Sequence, residues 1–155
     1  MLILWMSLIF SLSSQNADTS SGTSGRVIAA VVRIFHSDFD NLTEKEQEEI
    51  IAPYQFIVRK GAHFTLYALL GIFSFLTFVT YKSIPFKFRF LLISGICLLY
   101  SISDETHQLF ISGRSGEVRD VCIDFCGSLL AITLMTLIAR SPKFKKYIQG
   151  GDICL

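Results

Sequence analysis

The pattern of apolar and polar positions divides the chain into four apolar segments separated by two long polar stretches and one short basic turn. The apolar segments lie near residues 1–13, 61–80, 88–104 and 120–139, and the second of them is interrupted by His63. Apolar runs of about 20 residues are long enough to cross a bilayer as helices. The pattern therefore predicts an all-α integral membrane bundle of about four transmembrane helices, in a single domain over residues 1–155.

The first apolar segment is short for a membrane span. Residues 1–12 are apolar, whereas a helix needs about 20 residues to cross the hydrocarbon core. A secretory signal is an alternative, but the segment has no basic residues before its apolar run and no clear small-residue cleavage site. We therefore favour a first span, either intact or lacking its beginning, over a signal peptide.

The polar stretch 14–60 carries weaker local signals. Ser11–Gly25 is rich in Ser, Thr and Gly and is predicted to be a loop. Val27–Phe35 is apolar with arginines at its margins, which is typical of a short helix lying at a membrane interface. Thr43 followed by Glu46 predicts a capping box that opens a helix. That helix is predicted to end at Pro53.

Composition supports the membrane interpretation. The chain is 51% hydrophobic with a mean hydropathy of +0.50, which is high for a soluble domain. Its net charge of +1 gives no reason to expect a nucleic-acid partner. The four cysteines form no recognisable disulfide framework or metal motif, so we interpret them as small buried apolar residues.

Basic residues are grouped at two places, and they predict the orientation. Lysines and arginines cluster between Lys82 and Arg89 and between Arg140 and Lys146, and such clusters remain on the cytoplasmic side. The polar stretches 14–60 and 104–119 are then extracytoplasmic. With four spans, both termini of this multi-pass protein of the cell membrane are cytoplasmic.

The first cluster of candidate functional residues lies at the start of the second span. Arg59, His63 and Tyr67 are spaced i, i+4, i+8 and form one stripe on a helix, with Lys60 beside them. Arginine, lysine and tyrosine at the end of a span also serve as ordinary interfacial anchors. An ionisable side chain such as His63 within an apolar run is costly and therefore favours a functional role.

The second cluster follows the third span. If that helix continues, Asp104, His107 and Gln108 share a face, with Glu105 next to them. A neighbouring carboxylate can fix a histidine tautomer and raise its basicity. Metal ligation is conceivable, but the histidines and carboxylates lack the spacing of a known metal motif, so we predict no metal and no cofactor.

The third cluster joins a turn to the last span. Arg114 lies between Gly113 and Gly116, in a turn where backbone amides and a guanidinium could meet an anion together, although a plain surface turn remains an alternative. Asp120 and Asp124 are one helical turn apart, and Asp124 is deep enough that its carboxylate needs a partner. Because all three clusters are predicted on the same side of the membrane, we expect one site.

These residues resemble the motifs of the VanZ-like family. The matching stretches are Arg59-Lys60-Gly61-Ala62-His63-Phe64 with Tyr67, Asp104-Glu105-Thr106-His107-Gln108, Gly113-Arg114-Ser115-Gly116, and Asp120-Val121 with Asp124 and Gly127; Phe10–Gln15 is also similar. The resemblance covers nearly the whole chain. The resemblance implies a bacterial membrane protein. The protein after which the family is named is associated with resistance to the glycopeptide antibiotic teicoplanin. The resemblance does not settle the mechanism.

Three functional hypotheses remain open. The first is binding of an anionic cell-wall precursor or lipoglycopeptide at the cell envelope. The second is a hydrolase or transferase at the membrane interface that acts on a lipid-linked substrate, and the third is a purely structural charge network. The absence of a nucleophile motif or phosphate loop favours binding. The candidate acid–base residues are His63, Asp104, His107 and Asp124, and the candidate ligand-binding residues are Arg59, Lys60, Tyr67, Glu105, Gln108, Arg114 and Asp120.

Overall fold

The computed structural model describes residues 1–79 and 84–141, and these residues form helices without any strand. The elements are α1 (Leu2–Ser13), α2 (Ala17–Phe35), a 3₁₀ turn (Phe39–Asn41), α3 (Glu44–Val79), α4 (Phe86–Gln108) and α5 (Val118–Arg140). The predicted all-α architecture is confirmed. Part of the basic turn predicted at 82–89 lies outside the described residues. The basic tail also lies outside them from residue 142 onward.

Two of the described helices, α3 and α5, are long and apolar enough to cross a membrane, while α1 is apolar but has 12 residues. Many large apolar side chains on α5 face outward, including Leu130, Leu134 and Leu137. Contiguous exposed apolar surface of this kind marks contact with lipid or with another protein.

The main core lies where α3 and α5 cross, with α1 and α4 packed against it. Its buried side chains are Ile9, Tyr67, Leu70, Phe75, Ile93, Cys97 and Ile132. A smaller cluster of Ile28, Phe39 and Ile51 holds α2 and the 3₁₀ turn against the beginning of α3. The two clusters place the N-terminal half of α3 beside α2 and its C-terminal half inside the bundle.

The loop predicted for Ser11–Gly25 is wrong, because α1 continues to Ser13 and α2 begins at Ala17. The Asn16 side chain accepts a hydrogen bond from the Thr19 amide at 2.8 Å and so caps α2. Packing of α2 against α3 then outweighs the low helix propensity of its Ser, Thr and Gly residues. The interfacial helix predicted for Val27–Phe35 is the second half of this longer helix.

The break predicted at Pro53 is also wrong. The Thr43 amide donates to Glu46 Oε2 at 2.9 Å, so the predicted capping box does open α3. The helix then runs through Pro53 to Val79. Proline removes one backbone hydrogen bond, but Ile51 and Val58, on either side of Pro53, both pack in the cluster shared with α2 and support the continuous helix.

The polar connection predicted at 104–119 is shorter than expected. Helix α4 continues to Gln108 and α5 already begins at Val118, so the irregular segment covers residues 109–117. Asp104, Glu105, His107 and Gln108 therefore lie on one helix, as the i, i+3, i+4 interpretation required.

Candidate functional site

The site is built on an unusually close crossing of α3 and α5. A Cβ atom added to Gly127 would lie 2.4 Å from the carbonyl oxygen of Phe64, and one added to Gly71 would lie 2.6 Å from that of Ser128. Small residues permit this backbone approach. The Ser128 hydroxyl also donates to the Tyr67 carbonyl oxygen at 2.9 Å. The crossing fixes the start of α5 against the middle of α3.

The crossing brings His63 and Asp124 together. His63 Nδ1 lies 3.6 Å from Asp124 Oδ1, and the Asp124 side chain is 1% exposed. Neither oxygen of that carboxylate has a hydrogen-bond partner among the described residues. Asp124 thus faces His63, at a distance slightly too long for a hydrogen bond.

Asp104 is held at the same depth from α4. Its Oδ2 accepts hydrogen bonds from Ser13 Oγ at 2.8 Å and from the Tyr67 hydroxyl at 3.1 Å, with Gln108 Nε2 at 3.5 Å. Its Oδ1 is buried and has no hydrogen-bond partner in the described part of the chain. One oxygen is therefore fixed by its neighbours while the other is left available.

Arg114 is anchored more firmly than a plain surface turn would require. Gly113 has a φ of +73°, a left-handed conformation that glycine adopts without strain. Arg114 Nε donates to the Gln15 carbonyl oxygen and Nη1 donates to Gln108 Oε1, both at 2.9 Å. These two bonds connect the turn to the end of α1 and to α4.

Arg114 lies close to a second arginine, Arg59. Burial lowers the pKa of the Arg114 guanidinium, the positive charge of Arg59 lowers it further, and nearby carboxylates including Asp104 oppose both effects. Lys60 forms an ion pair with Asp120. Arg59 has no ion pair or hydrogen bond within residues 1–79 and 84–141. Two guanidinium groups are thus close together without a carboxylate bonded directly to either.

These residues surround a charged cavity of about 70 Å³. It is lined by Arg59, Lys60, His63, Gln108, Gly113, Arg114 and Ser115. His63 stands between this cavity and the two buried aspartates. Of the four residues expected to line one pocket, His63 and Arg114 line the cavity, whereas Asp104 and Asp124 lie next to His63 and do not line it.

Two apolar grooves continue from the charged cavity. The first groove, of about 210 Å³, shares Arg59, His63 and Arg114 with the cavity and is otherwise lined mainly by residues of α1, α2 and α3. The second groove, of about 370 Å³, lies between α2 and α3. Val27 and Val58 line both grooves. A polar site therefore opens directly into an apolar channel.

Two of the predicted residues lie at the edge of this arrangement. The His107 ring stacks on Phe10 with ring centroids 4.4 Å apart, and its Nε2 is 3.2 Å from Ser14 Oγ. Glu105 Oε1 accepts a hydrogen bond from the Glu117 amide at 2.9 Å. Neither residue lines the charged cavity or the first groove, so both contribute to holding α1 and the 109–117 segment in place.

Sequence reasoning missed three contributors to the site. Ser13 bonds Asp104, Gln15 offers its backbone carbonyl to Arg114, and Gly71 forms the second close contact of the helix crossing. Small and polar residues such as these carry no distinctive chemical signature in a sequence. Ser13 and Gln15 belong to the stretch Phe10–Gln15 that resembles the family, but the sequence assigned neither of them a role.

A family model described as VanZ/LLP1 matches residues 1–139. Comparisons with curated proteins and with solved structures gave no match. The matched range includes every candidate residue of the site, all of α3, and α5 except its last residue; these are the two helices long enough to cross a membrane, which is consistent with a membrane protein. The chain therefore belongs to the VanZ/LLP1 family.

Proposed function

We propose that this chain is a multi-pass protein of the bacterial cell membrane that binds the anionic head of a lipid-linked cell-wall precursor at its extracytoplasmic face. The observation that carries the proposal is the shared wall of the charged cavity and the first groove. Arg59, His63 and Arg114 line both. A ligand with a phosphate head and a long apolar chain satisfies both surfaces at once.

The cations favour an anion for a simple electrostatic reason. Lys60 is already paired with Asp120, whereas Arg59 is unpaired within the described residues and Arg114 bonds only neutral oxygens. Guanidinium groups bind phosphate and carboxylate through two parallel hydrogen bonds. An anion between them would relieve the repulsion of two neighbouring positive charges.

The grooves favour a lipid attached to that anion. The second groove is lined by apolar side chains of α2 and α3, such as Val31, Phe35 and Tyr54. Burial of apolar surface contributes about 25 cal/mol per Å². A polyprenyl or acyl chain lying along both grooves would therefore add affinity that a free phosphate lacks.

The membrane placement belongs to the same proposal. Four spans would be formed by α1, the C-terminal part of α3, α4 and α5. At 1.5 Å per residue, the 36 residues of α3 extend about 54 Å, which is longer than a hydrocarbon core of about 30 Å. The start of α3 and all of α2 would then lie at the outer interface, with both termini in the cytoplasm.

A lipoglycopeptide such as teicoplanin offers the same combination of an acyl chain and a carboxylate. Direct binding measurements on the full-length protein in lipid nanodiscs can distinguish between the lipid-linked precursor and the lipoglycopeptide as the ligand. The probes are a polyprenyl pyrophosphate-linked precursor, inorganic pyrophosphate, teicoplanin and a neutral diacylglycerol. We expect the precursor to bind at least tenfold more tightly than each of the other three.

Substitution of each of the two arginines tests whether its positive charge contributes to binding of the precursor. Arg59→Gln and Arg114→Gln should each weaken precursor binding by about tenfold, corresponding to about 1.4 kcal/mol. Arg26→Gln is the control, because Arg26 is an exposed arginine of α2 with only local contacts. Tighter binding of teicoplanin would assign the site to the antibiotic, and unchanged binding by both site variants would overturn the proposal.

Acid–base chemistry on a bound lipid-linked molecule is a second candidate. The observation in its favour is the contact between His63 and the buried Asp124, since a carboxylate beside a histidine is a common arrangement of a general base. Incubation of the protein with radiolabelled precursor would reveal turnover. If His63→Gln abolishes turnover while His107→Gln retains it, the chain is an enzyme, since His107 lines neither the charged cavity nor either groove. Absence of turnover by the parent protein rejects this candidate.

A further inference from the structure

Beneath the charged cavity, three side chains from three helices point at one another. His63 of α3, Asp104 of α4 and Asp124 of α5 each offer one ligand atom, and these atoms all lie within 4.8 Å of one another. The three residues are far apart in sequence, so only the helix crossing brings them together.

Both carboxylates have oxygens that lack a protein partner. Asp104 is 2% exposed and Asp124 is 1% exposed. Asp104 Oδ1 and both oxygens of Asp124 have no hydrogen bond within residues 1–79 and 84–141. Buried polar atoms without a partner are costly and uncommon, and an ion at the site is one physical explanation for them.

The hydrogen bonds around Asp104 are of the kind that orient a ligand. Ser13 and Tyr67 both donate to Oδ2 and leave Oδ1 free. In metal sites, neighbouring groups commonly hold the far atom of a ligand in this way and so set its direction. A purely structural carboxylate would gain more from distributing its bonds over both oxygens.

The charge of the cluster also favours a cation. Among the described residues, no lysine or arginine side chain bonds either carboxylate, since Lys60 pairs with Asp120 and Arg114 donates to Gln108 and Gln15. Two buried carboxylates beside one imidazole carry a charge that a single divalent ion would balance. An imidazole nitrogen suits zinc, copper, iron and nickel, whereas magnesium, calcium and manganese prefer oxygen ligands.

We propose that His63, Asp104 and Asp124 bind one divalent transition-metal ion, of which Zn²⁺ is the best fit. Two ligands about 2.0 Å from a tetrahedral zinc ion lie about 3.3 Å apart. The 3.6 Å between His63 Nδ1 and Asp124 Oδ1 is close to that value. The proposal goes beyond anion binding at the charged cavity, because the ion would lie below the cavity and use none of its arginines.

The test measures the metal directly on the full-length protein, purified in detergent without a polyhistidine tag and stripped with a chelator. Cys122→Ser/Cys126→Ser serves as the parent, because these two thiols are exposed, not buried as the sequence predicted, and could bind zinc themselves. Calorimetry with Zn²⁺ and the absorption spectrum of added Co²⁺ are the readouts. We expect one ion per chain, bound at least tenfold more tightly for Zn²⁺ than for Mg²⁺.

Three variants in that background locate the ion. Asp124→Asn, Asp104→Asn and His63→Gln should each weaken Zn²⁺ binding by a hundredfold or more and alter the Co²⁺ spectrum. His36→Gln is the matched control, because His36 is exposed at the end of α2, outside the cluster, and its loss should leave binding unchanged. Circular dichroism and size-exclusion chromatography show which variants are folded.

Two results would overturn the metal site. One is a parent protein that binds no ion, which would mean that the buried carboxylates hold protons instead. The other is a folded Asp124→Asn variant with parental affinity. Precursor binding measured after chelation separates this proposal from the proposed function, since the arginines of the charged cavity remain in place without the ion.

Discussion

Arg114 and Asp104 are connected through the side chain of Gln108, which accepts a hydrogen bond from Arg114 Nη1 at 2.9 Å and places its own Nε2 3.5 Å from Asp104 Oδ2. The amide can serve both neighbours only because it offers an acceptor to the cation and a donor to the carboxylate. The charged cavity and the buried carboxylates are therefore linked by one neutral residue that separates their opposite charges.

Gln108→Glu should disturb this separation. The new carboxylate would still accept from Arg114, but it would neutralise the guanidinium and place a second negative charge beside Asp104. We expect the affinity for a polyprenyl pyrophosphate-linked precursor to fall about tenfold, or about 1.4 kcal/mol. Gln55→Glu is the control, because it adds the same charge on α3 and not at the end of α4, where Gln108 lies. Equal losses in both variants would mean that the effect is one of general charge.

Gly127→Ala should destabilise the helix crossing. Its Cβ would lie 2.4 Å from the Phe64 carbonyl oxygen, so α3 and α5 must separate. Overpacking of this kind costs about 1–3 kcal/mol. Gly95→Ala is the matched control, because a Cβ there has no neighbour within 4 Å and should leave stability unchanged or slightly raised. Thermal unfolding in detergent, followed by circular dichroism, compares the two; equal unfolding temperatures would contradict the close crossing.

Ser13→Ala and Tyr67→Phe should each weaken the hold on Asp104. Each change removes one hydroxyl donor from a buried carboxylate, and an unsatisfied buried group costs about 1–3 kcal/mol. The two donors share one acceptor oxygen, so the double variant should not show the simple sum of the single effects. Ser7→Ala is the control, since Ser7 is exposed and bonds only its own helix. Parental stability in both single variants would show that Asp104 does not depend on these donors.

The proposed orientation can be tested by cysteine labelling in intact cells. In a background without native cysteines, a cysteine at Ser115 should react with a membrane-impermeant maleimide, because the 109–117 segment is proposed to face outward. A cysteine at Ser83 should react only after the cells are permeabilised. Labelling of position 83 from outside would reverse the topology and move the charged cavity to the cytoplasmic face.

Local signals in the sequence determined most of the helical architecture. Continuous apolar runs indicated α1, α4 and α5 within a few residues, and the Thr43–Glu46 capping box marked the beginning of α3. The errors arose where packing outweighed local preference. Residues 17–25 are helical despite a composition typical of loops, and α3 continues through Pro53, because α2 and α3 bury Ile28 and Ile51 against each other.

By itself, the sequence determined which residue types are costly within an apolar bundle. His63 and Asp124 each require a polar partner, because an ionisable side chain within an apolar segment is energetically costly. Tertiary structure alone decided which partners they found. The approach of α5 to α3 at Gly127 brings His63, Asp104 and Asp124 within reach of one another, and Gln108 joins that cluster to Arg114. Distances between different helices depend on side-chain packing, which no local sequence pattern encodes.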